Sequence, residues 1–287
     1  MRKVSVVVPV YNEEFLLPIF LDRVVPIVDE VVIVDGGLHG KSGDGTADII
    51  SKYDVKKVKH LIPSKPFVLE GGKWDRASQV NTGIEKATGD VIIHTSVDVM
   101  FDSLGQLVRH ISEREEQVYH IPSVQFWLDT NHVRLDDGKA HSVDLFAVAK
   151  DCVPTYGSDG FVATAAVSDI IWSVGTTRYH LGWVRPFTRQ IAKHMRNIKS
   201  GAWGEIGEKV AELGESAIEA WAIHHILRYG NIDHRPILPL ADTIPDQVRT
   251  MTCTDGLDEY IIGYKERIGK DFYLGIMSAI PPELIVG

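Results

Sequence analysis

Two short runs rich in β-branched residues each end in a carboxylate, VVIVD at positions 31–35 and DVIIHTSVD at positions 90–98. Runs this apolar suit strands covered on both faces, as in a mostly parallel sheet. In such a sheet, ligands collect beyond the carboxyl ends of the strands, where the connecting loops diverge and leave a crevice. Two acids delivered there describe a nucleotide and metal site.

The first hundred residues alternate in period. Residues 3–10, 30–35, 55–62 and 90–95 read as strands, and residues 13–25, 44–53 and 77–87 read as helices. This β-α-β-α order predicts an α/β fold with parallel pairing, right-handed crossovers and helices on both faces. After about residue 103 the pattern changes. Residues 117–127 and 143–148 read as strands with a turn at 136–138, and from Phe187 onward the chain reads as mainly helical. The one clear break lies near Gly201 and Gly204.

Composition narrows the class. The chain has 287 residues, 44% of them hydrophobic, which is enough for one large domain or a domain with an appendage. No run approaches the roughly 18 apolar residues that a membrane span needs. The apolar stretch at 4–10 is too short for a signal peptide, so a cytoplasmic location is expected. Cys152 and Cys253 form neither a disulfide framework nor a zinc spacing. A net charge of −9 argues against indiscriminate coating of nucleic acid.

One segment runs against that charge. Between Ile170 and Gly204 there is no acid, while Arg178, Arg185, Arg189, Lys193, Arg196 and Lys199 all fall there. Phe187, Ile191, Met195 and Ile198 recur at helical spacing, and Arg189, Lys193 and Arg196 form a separate stripe. The segment is an amphipathic helix whose basic face is either balanced by nearby acids or turned toward phosphates. His224 and His225, with Trp221, fall in a late helix among Ala217, Ala220, Ile223 and Leu227, and are expected to be core.

Four motifs in order carry a resemblance: VSVVVPVYNEE at 4–14, VIVDGG at 32–37, DGTAD at 44–48, and NTGIEKATGD at 81–90 leading to Asp98. Together they resemble family 2 glycosyltransferases of the GT-A fold over residues 1–105. A shorter echo, YHLGWV at 179–184, is similar to a His-aromatic-Gly-Trp segment of some members. The resemblance implies a nucleotide-sugar-binding subdomain at 1–105, an acceptor and metal-completing subdomain at 106–204, and a helical extension at 205–287.

It also implies site residues. Pro9, Tyr11 and Glu13 would line the base and ribose, and Asp35 would accept hydrogen bonds from the nucleobase. Lys73, Arg76, Arg178 and Arg185 would face the donor diphosphate. After Asp35 the chain departs from the family pattern, with a glycine-rich loop at 36–45 that is longer by an insertion and leaves roles for Lys41 and Asp44 open. It departs again at the metal motif, where the family carries Asp-x-Asp and this chain has Ser96-Val97-Asp98. Asp98 would then hold Mn²⁺ or Mg²⁺ with His180 as a second ligand, the imidazole favouring Mn²⁺. The general base of an inverting transfer is expected among Asp144, Asp159 and Asp169, with Asp159 in its Gly-Ser-Asp-Gly turn preferred.

Other classes fit less well. A nucleotidyltransferase or a dinucleotide-dependent oxidoreductase needs a glycine-rich phosphate loop after the first strand, and Pro9-Val-Tyr-Asn12 is not one. The rival is a non-catalytic nucleotide-sugar-binding protein with a degenerate metal motif. The acceptor is illegible. A soluble one (a glycan, a protein or modified nucleic acid) is expected from the missing membrane anchor.

Overall fold

The computed structural model describes residues 1–69, 74–115, 118–120, 123–127, 129–134, 146–152, 170–172, 178–181, 184, 186–199, 204–229, 234–236 and 257–269. The chain divides into two compact units that interleave in sequence. One comprises residues 1–124, 136–180 and 241–245, and the other residues 125–135, 181–240 and 246–287.

The first unit is built on β1 (Val4–Val10), β2 (Glu30–Asp35), β3 (Val58–Leu61) and β4 (Val91–His94). β1 lies between β2 and β4, β3 flanks β2, and all these pairings are parallel. Every residue of β1, β2 and β4 is buried, as a sheet covered on both faces requires. Beyond β4 the sheet turns mixed. β6 (Val118–His120) and β9 (Phe146–Ala149) pair antiparallel, as do β9 and β4, while β10 (Ile170–Trp172) runs parallel to β6. The seven-stranded order is β10-β6-β9-β4-β1-β2-β3. A separate antiparallel pair joins β5 (Val99–Phe101) to β11 (Arg178–His180).

The helices are shorter than periodicity predicts at two places, for one shared reason. α1 is Leu17–Val24 instead of 13–25, and α2 is Thr46–Ile50 instead of 44–53. The amides of Glu13 and Glu14 are spent on Thr46 Oγ1 and Asp44 Oδ2, both at 3.1 Å. Residues 13–16 therefore form a turn, and α1 starts beside Pro18 at its first turn. α3 (Arg76–Lys86) matches its expected span closely and is capped by Asp75, whose side chain accepts the Ser78 amide at 2.9 Å. β5 was hidden inside the run after β4. The Val99 amide donates to Ser96 O at 3.1 Å, closing a tight turn that separates the two strands. α4 (Leu104–Glu113) follows.

At the amino ends of these strands, buried Glu30 accepts Ser5 Oγ at 2.6 Å and the Thr88 amide at 2.7 Å, and pairs with Lys59. Burial alone would raise its pKa. Lys59, Ser5 and Thr88 outweigh that and hold the carboxyl below its ordinary value.

The second unit holds β7 (Ser123–Trp127) from Gln125 on, which pairs antiparallel with β8 (Asp129–Arg134), and β8 pairs with β12 (His234–Pro236). The helices are α5 (Phe187–Lys199), α6 (Gly204–Glu212), α7 (Glu215–Tyr229) and α8 (Leu257–Ile268). Phe187 and Ile191 of α5 pack with Ala220, Ile223 and Ile226 of α7 and with Tyr264 of α8, and Met195 lies against them. The apolar stripe expected for α5 is thus its buried face. Trp221 and His225 are buried ring neighbours with centroids 4.5 Å apart, which bears out their reading as core. Lys199, beyond the basic stripe at the end of α5, pairs with Glu215 of α7 at 2.6 Å, so part of the positive charge of this segment is balanced locally. No described helix is long and apolar enough to cross a membrane.

Candidate active site

The carboxyl ends of β1, β2 and β3 bring Val10, Asp35 and Leu61 to one edge of the first unit. Gln79, on α3 and fully buried, ties the first two together. Its Nε2 donates to Val10 O at 3.1 Å and to Val34 O at 2.8 Å. The helix can approach this closely because Gly83 lies one turn further on. A Cβ there would stand 2.5 Å from Val7 Cγ1.

Asp35 is fully buried at the end of β2. Its Oδ1 accepts the Ser42 amide at 2.9 Å, and its Oδ2 lies 3.1 Å from His60 Nε2. Burial opposes ionisation, but His60 and Ser42 offset it, and the carboxyl sits below its ordinary value. Asp35 thus organises the surrounding loop. Ser42 Oγ in turn accepts the Asn12 amide at 2.8 Å, and Asn12 Oδ1 accepts the Gly43 amide at 2.9 Å. Asn12 adopts φ 57°, a left-handed backbone that asparagine tolerates better than most residues.

The loop at 36–45 is stitched rather than loose. Gly37 and Gly40 bridge each other, the Phe67 amide donates to Gly37 O at 3.2 Å, and Glu14 Oε2 accepts the Gly45 amide at 3.0 Å. Asp44, left open by sequence, is a structural acceptor for Glu14 and Thr46. Tyr11 lies over Gly37, where a Cβ would come within 2.7 Å of the ring, and Trp74 tilts against Tyr11 at 5.9 Å between centroids. Half-buried aromatic rings at this edge suit a flat base or a sugar. Pro9 lies within β1 opposite Val34, Glu13 lies in the turn before α1, and Arg76 opens α3.

Asp98 lies in the turn between β4 and β5 and is buried. Ser96 Oγ donates to its Oδ1 at 2.5 Å. Pairing of β11 with β5 places His180 opposite Val99, and His180 Nε2 comes 3.6 Å from Asp98 Oδ1. Ligands about 2.1 Å from one cation stand roughly 3–4 Å apart. The pair therefore fits two adjacent positions on a single divalent ion. No group of three or more His, Cys, Asp or Glu gathers among the described residues. Two protein ligands leave the remaining positions to water and phosphate oxygens, as Mg²⁺ and Mn²⁺ sites on nucleotides commonly do. Arg178 occupies β11 opposite Phe101. Lys73, Asp144, Asp159, Asp169 and Arg185 lie outside the described residues.

Sequence reasoning missed Asn12, Ser42, His60 and Gln79. For His60 the sequence offered the strand but not the β2–β3 register that sets its ring beside the acid ending β2.

Residues 5–142 match the family model described as Glycosyl transferase family 2. Curated relatives include the undecaprenyl-phosphate 4-deoxy-4-formamido-L-arabinose transferase of Pectobacterium atrosepticum, 30% identical over 120 residues, which are 39% of this chain and 34% of that protein. The protein of the same name from Aeromonas hydrophila is 33% identical over 104 residues, covering 34% of this chain and 29% of that one. The chain thus spans about a third of the length of these relatives. Among solved structures, S. aureus TarS 1–349 overlays at a TM-score of 0.45 with 14% identity, covering 98% of this chain and 82% of that one. The mannosyltransferase PcManGT from Pyrobaculum calidifontis, in complex with GDP-Man and Mn²⁺, overlays at 0.42 with 17% identity, covering 79% and 74%.

Proposed function

We propose that the chain is a metal-dependent glycosyltransferase that takes a sugar from a nucleotide-sugar donor, a UDP-sugar foremost, and inverts the anomeric centre. The observation that carries this reading is the Asp98–His180 pair, with Oδ1 and Nε2 3.6 Å apart in a chain that matches this family's model. Asp98 and His180 would hold Mn²⁺ or Mg²⁺, which supplies Lewis-acid stabilisation of the departing diphosphate. Tyr11, Trp74 and the stitched loop at 36–45 give the nucleoside a preformed wall. Arg76 would be a cationic partner for phosphate, a role that the sequence also suggests for Lys73, Arg178 and Arg185.

In a single displacement, an acceptor oxygen bonds to the anomeric carbon as the bond to the diphosphate oxygen breaks. The acceptor's proton passes to a carboxylate, for which Asp159 is the candidate. The sequence favours a soluble acceptor. The names of the curated relatives favour a second reading, a lipid phosphate. The two differ in one chemical respect. A hydroxyl acceptor must lose a proton, whereas a phosphate monoester with second pKa near 6 is already a nucleophilic anion at neutral pH.

The test is titration of UDP-, GDP- and dTDP-sugars with and without Mn²⁺, followed by release of free nucleoside diphosphate. Metal-dependent binding and slow donor hydrolysis, both lost in Asp98→Ala, support the transferase. Binding without turnover on any acceptor identifies a non-catalytic binder, and no binding at all sinks the assignment. With the acceptor in hand, Asp159→Asn should slow transfer to a hydroxyl by about a hundredfold or more. It should leave transfer to a lipid phosphate nearly unchanged.

A further inference from the structure

We infer that His60 is the side chain that meets the nucleobase, with Asp35 behind it as the group that sets its tautomer. This rests on the donor reading above and adds the class of base. Asp35 is fully enclosed, with one oxygen on the Ser42 amide and the other on His60. His60 is the member of the pair that reaches solvent, with 21% of its side chain exposed against none for Asp35. Its position on β3, opposite Ile33 and one residue before the strand ends, puts it at the same carboxyl edge as Asp35.

The ring's chemistry follows from its partner. An ionised carboxylate only accepts, so the nitrogen that faces it, Nε2, carries a proton. The neutral ring, the form proposed to meet the base, presents Nδ1 as an acceptor, and among the described residues the one partner found for the ring nitrogens is Asp35. This tautomer is assigned from the hydrogen-bond partner, the usual way of placing such protons. The same logic makes a carboxylate behind a metal-bound histidine decide which nitrogen faces the ligand.

An outward acceptor selects a base with an N–H on its pairing edge. Uracil and thymine present N3–H, and guanine presents N1–H. Cytosine N3 and adenine N1 present lone pairs and face Nδ1 lone pair to lone pair. His60 therefore discriminates uridine, thymidine and guanosine diphosphates from cytidine and adenosine diphosphates. Next to Asp35, a Cβ at Gly36 would lie 3.0 Å from Pro63 and 3.2 Å from Phe67, so this flank is closely packed.

The experiment measures dissociation constants of UDP, CDP and inorganic pyrophosphate with Mn²⁺ for the wild type, His60→Phe, His60→Gln and His60→Asn, with thermal melting as the control for folding. The wild type should prefer UDP to CDP by about tenfold or more, the worth of one hydrogen bond against a repulsive contact. His60→Phe should bring that ratio near one while pyrophosphate binds as before. Glutamine reaches Asp35 but leaves no acceptor at the Nδ1 position, and should behave like phenylalanine. Asparagine places its oxygen near Nδ1 and should retain the preference for UDP. A structural role confined to Asp35 would reverse the order of these two variants and would overturn the inference. So would an unchanged UDP-to-CDP ratio in a folded His60→Phe or His60→Gln protein, or a wild type that binds the two equally. A wild type that binds no diphosphate brings down the donor reading as well, and the pattern thereby tells the two failures apart.

Discussion

Gly83 of α3 and Val7 of β1 are so close that a Cβ on the glycine would lie 2.5 Å from Val7 Cγ1, with Val34 Cγ2 at 2.9 Å on the other side. An ordinary helix interior gains up to about 1 kcal/mol when glycine becomes alanine. Here the neighbours are branched side chains locked in a sheet, and the methyl must displace them. Gly83→Ala should therefore destabilise by about 1–3 kcal/mol. Urea unfolding checks the sign, and a stabilised variant would mean that α3 stands off from the sheet.

Gln79 is the second tie between α3 and the sheet. Gln79→Leu keeps the bulk but leaves the carbonyls of Val10 and Val34 without this donor in a buried setting. Val10 O keeps the Gly36 amide at 3.0 Å, so the expected cost is about 1–2 kcal/mol. Because both carbonyls sit at the carboxyl edge, weaker UDP binding should accompany the lower urea midpoint. A loss of stability with donor affinity untouched would separate this tie from the binding edge.

His194 of α5 is buried, with Nδ1 3.0 Å from Gln190 O, and burial pushes its pKa down to about 4 despite that hydrogen bond. Lys193 pushes in the same direction as burial. The unfolded chain, with an ordinary histidine value near 6.5, takes up the proton first. Stability of the second unit is thus full above about 6.5 and falls as pH drops from there to about 4, by about 3 kcal/mol in all. His194→Phe should flatten the pH dependence of melting across that window. An unchanged slope would place the acid sensitivity elsewhere.

Ser96 stands where the family pattern that the sequence resembles carries its first carboxylate. Ser96→Asp returns that charge beside Asp98 and should tighten Mn²⁺ binding by about tenfold in the absence of nucleotide, roughly 1.4 kcal/mol. Asp98→Ala should abolish the binding. Calorimetric titration with Mn²⁺ alone reads both, and no gain in Ser96→Asp would show that position 96 faces away from the ion.

The strands of the first unit were legible because β1, β2 and β4 are continuous β-branched runs, and Asp35 and Asp98 were legible as acids at their ends. What could not be read was how much the loops take from the helices. Glu13 and Asp44 look like helix starters by composition, yet they serve the contact between the loops that follow β1 and β2. Pairings between distant residues were equally hidden. Nothing local to His60 announces Asp35, and nothing in Val99–Phe101 announces β11, since each needs a register that only the folded sheet sets. The positive charge of α5 was visible, but Glu215, the partner of Lys199, arrives with a later helix.

The pairing of β5 with β11 also fixes when the site comes into being. A ribosome that has released β1 to β5 has delivered Asp98, together with Asp35 and its loop, and the strands around them can already pair. His180 is still unmade, and the chain must extend through β11 before the imidazole swings in beside the carboxylate. Nascent protein would thus assemble its proposed nucleoside wall early and its proposed cation pair late, keeping the unfinished chain from holding the ion in that way.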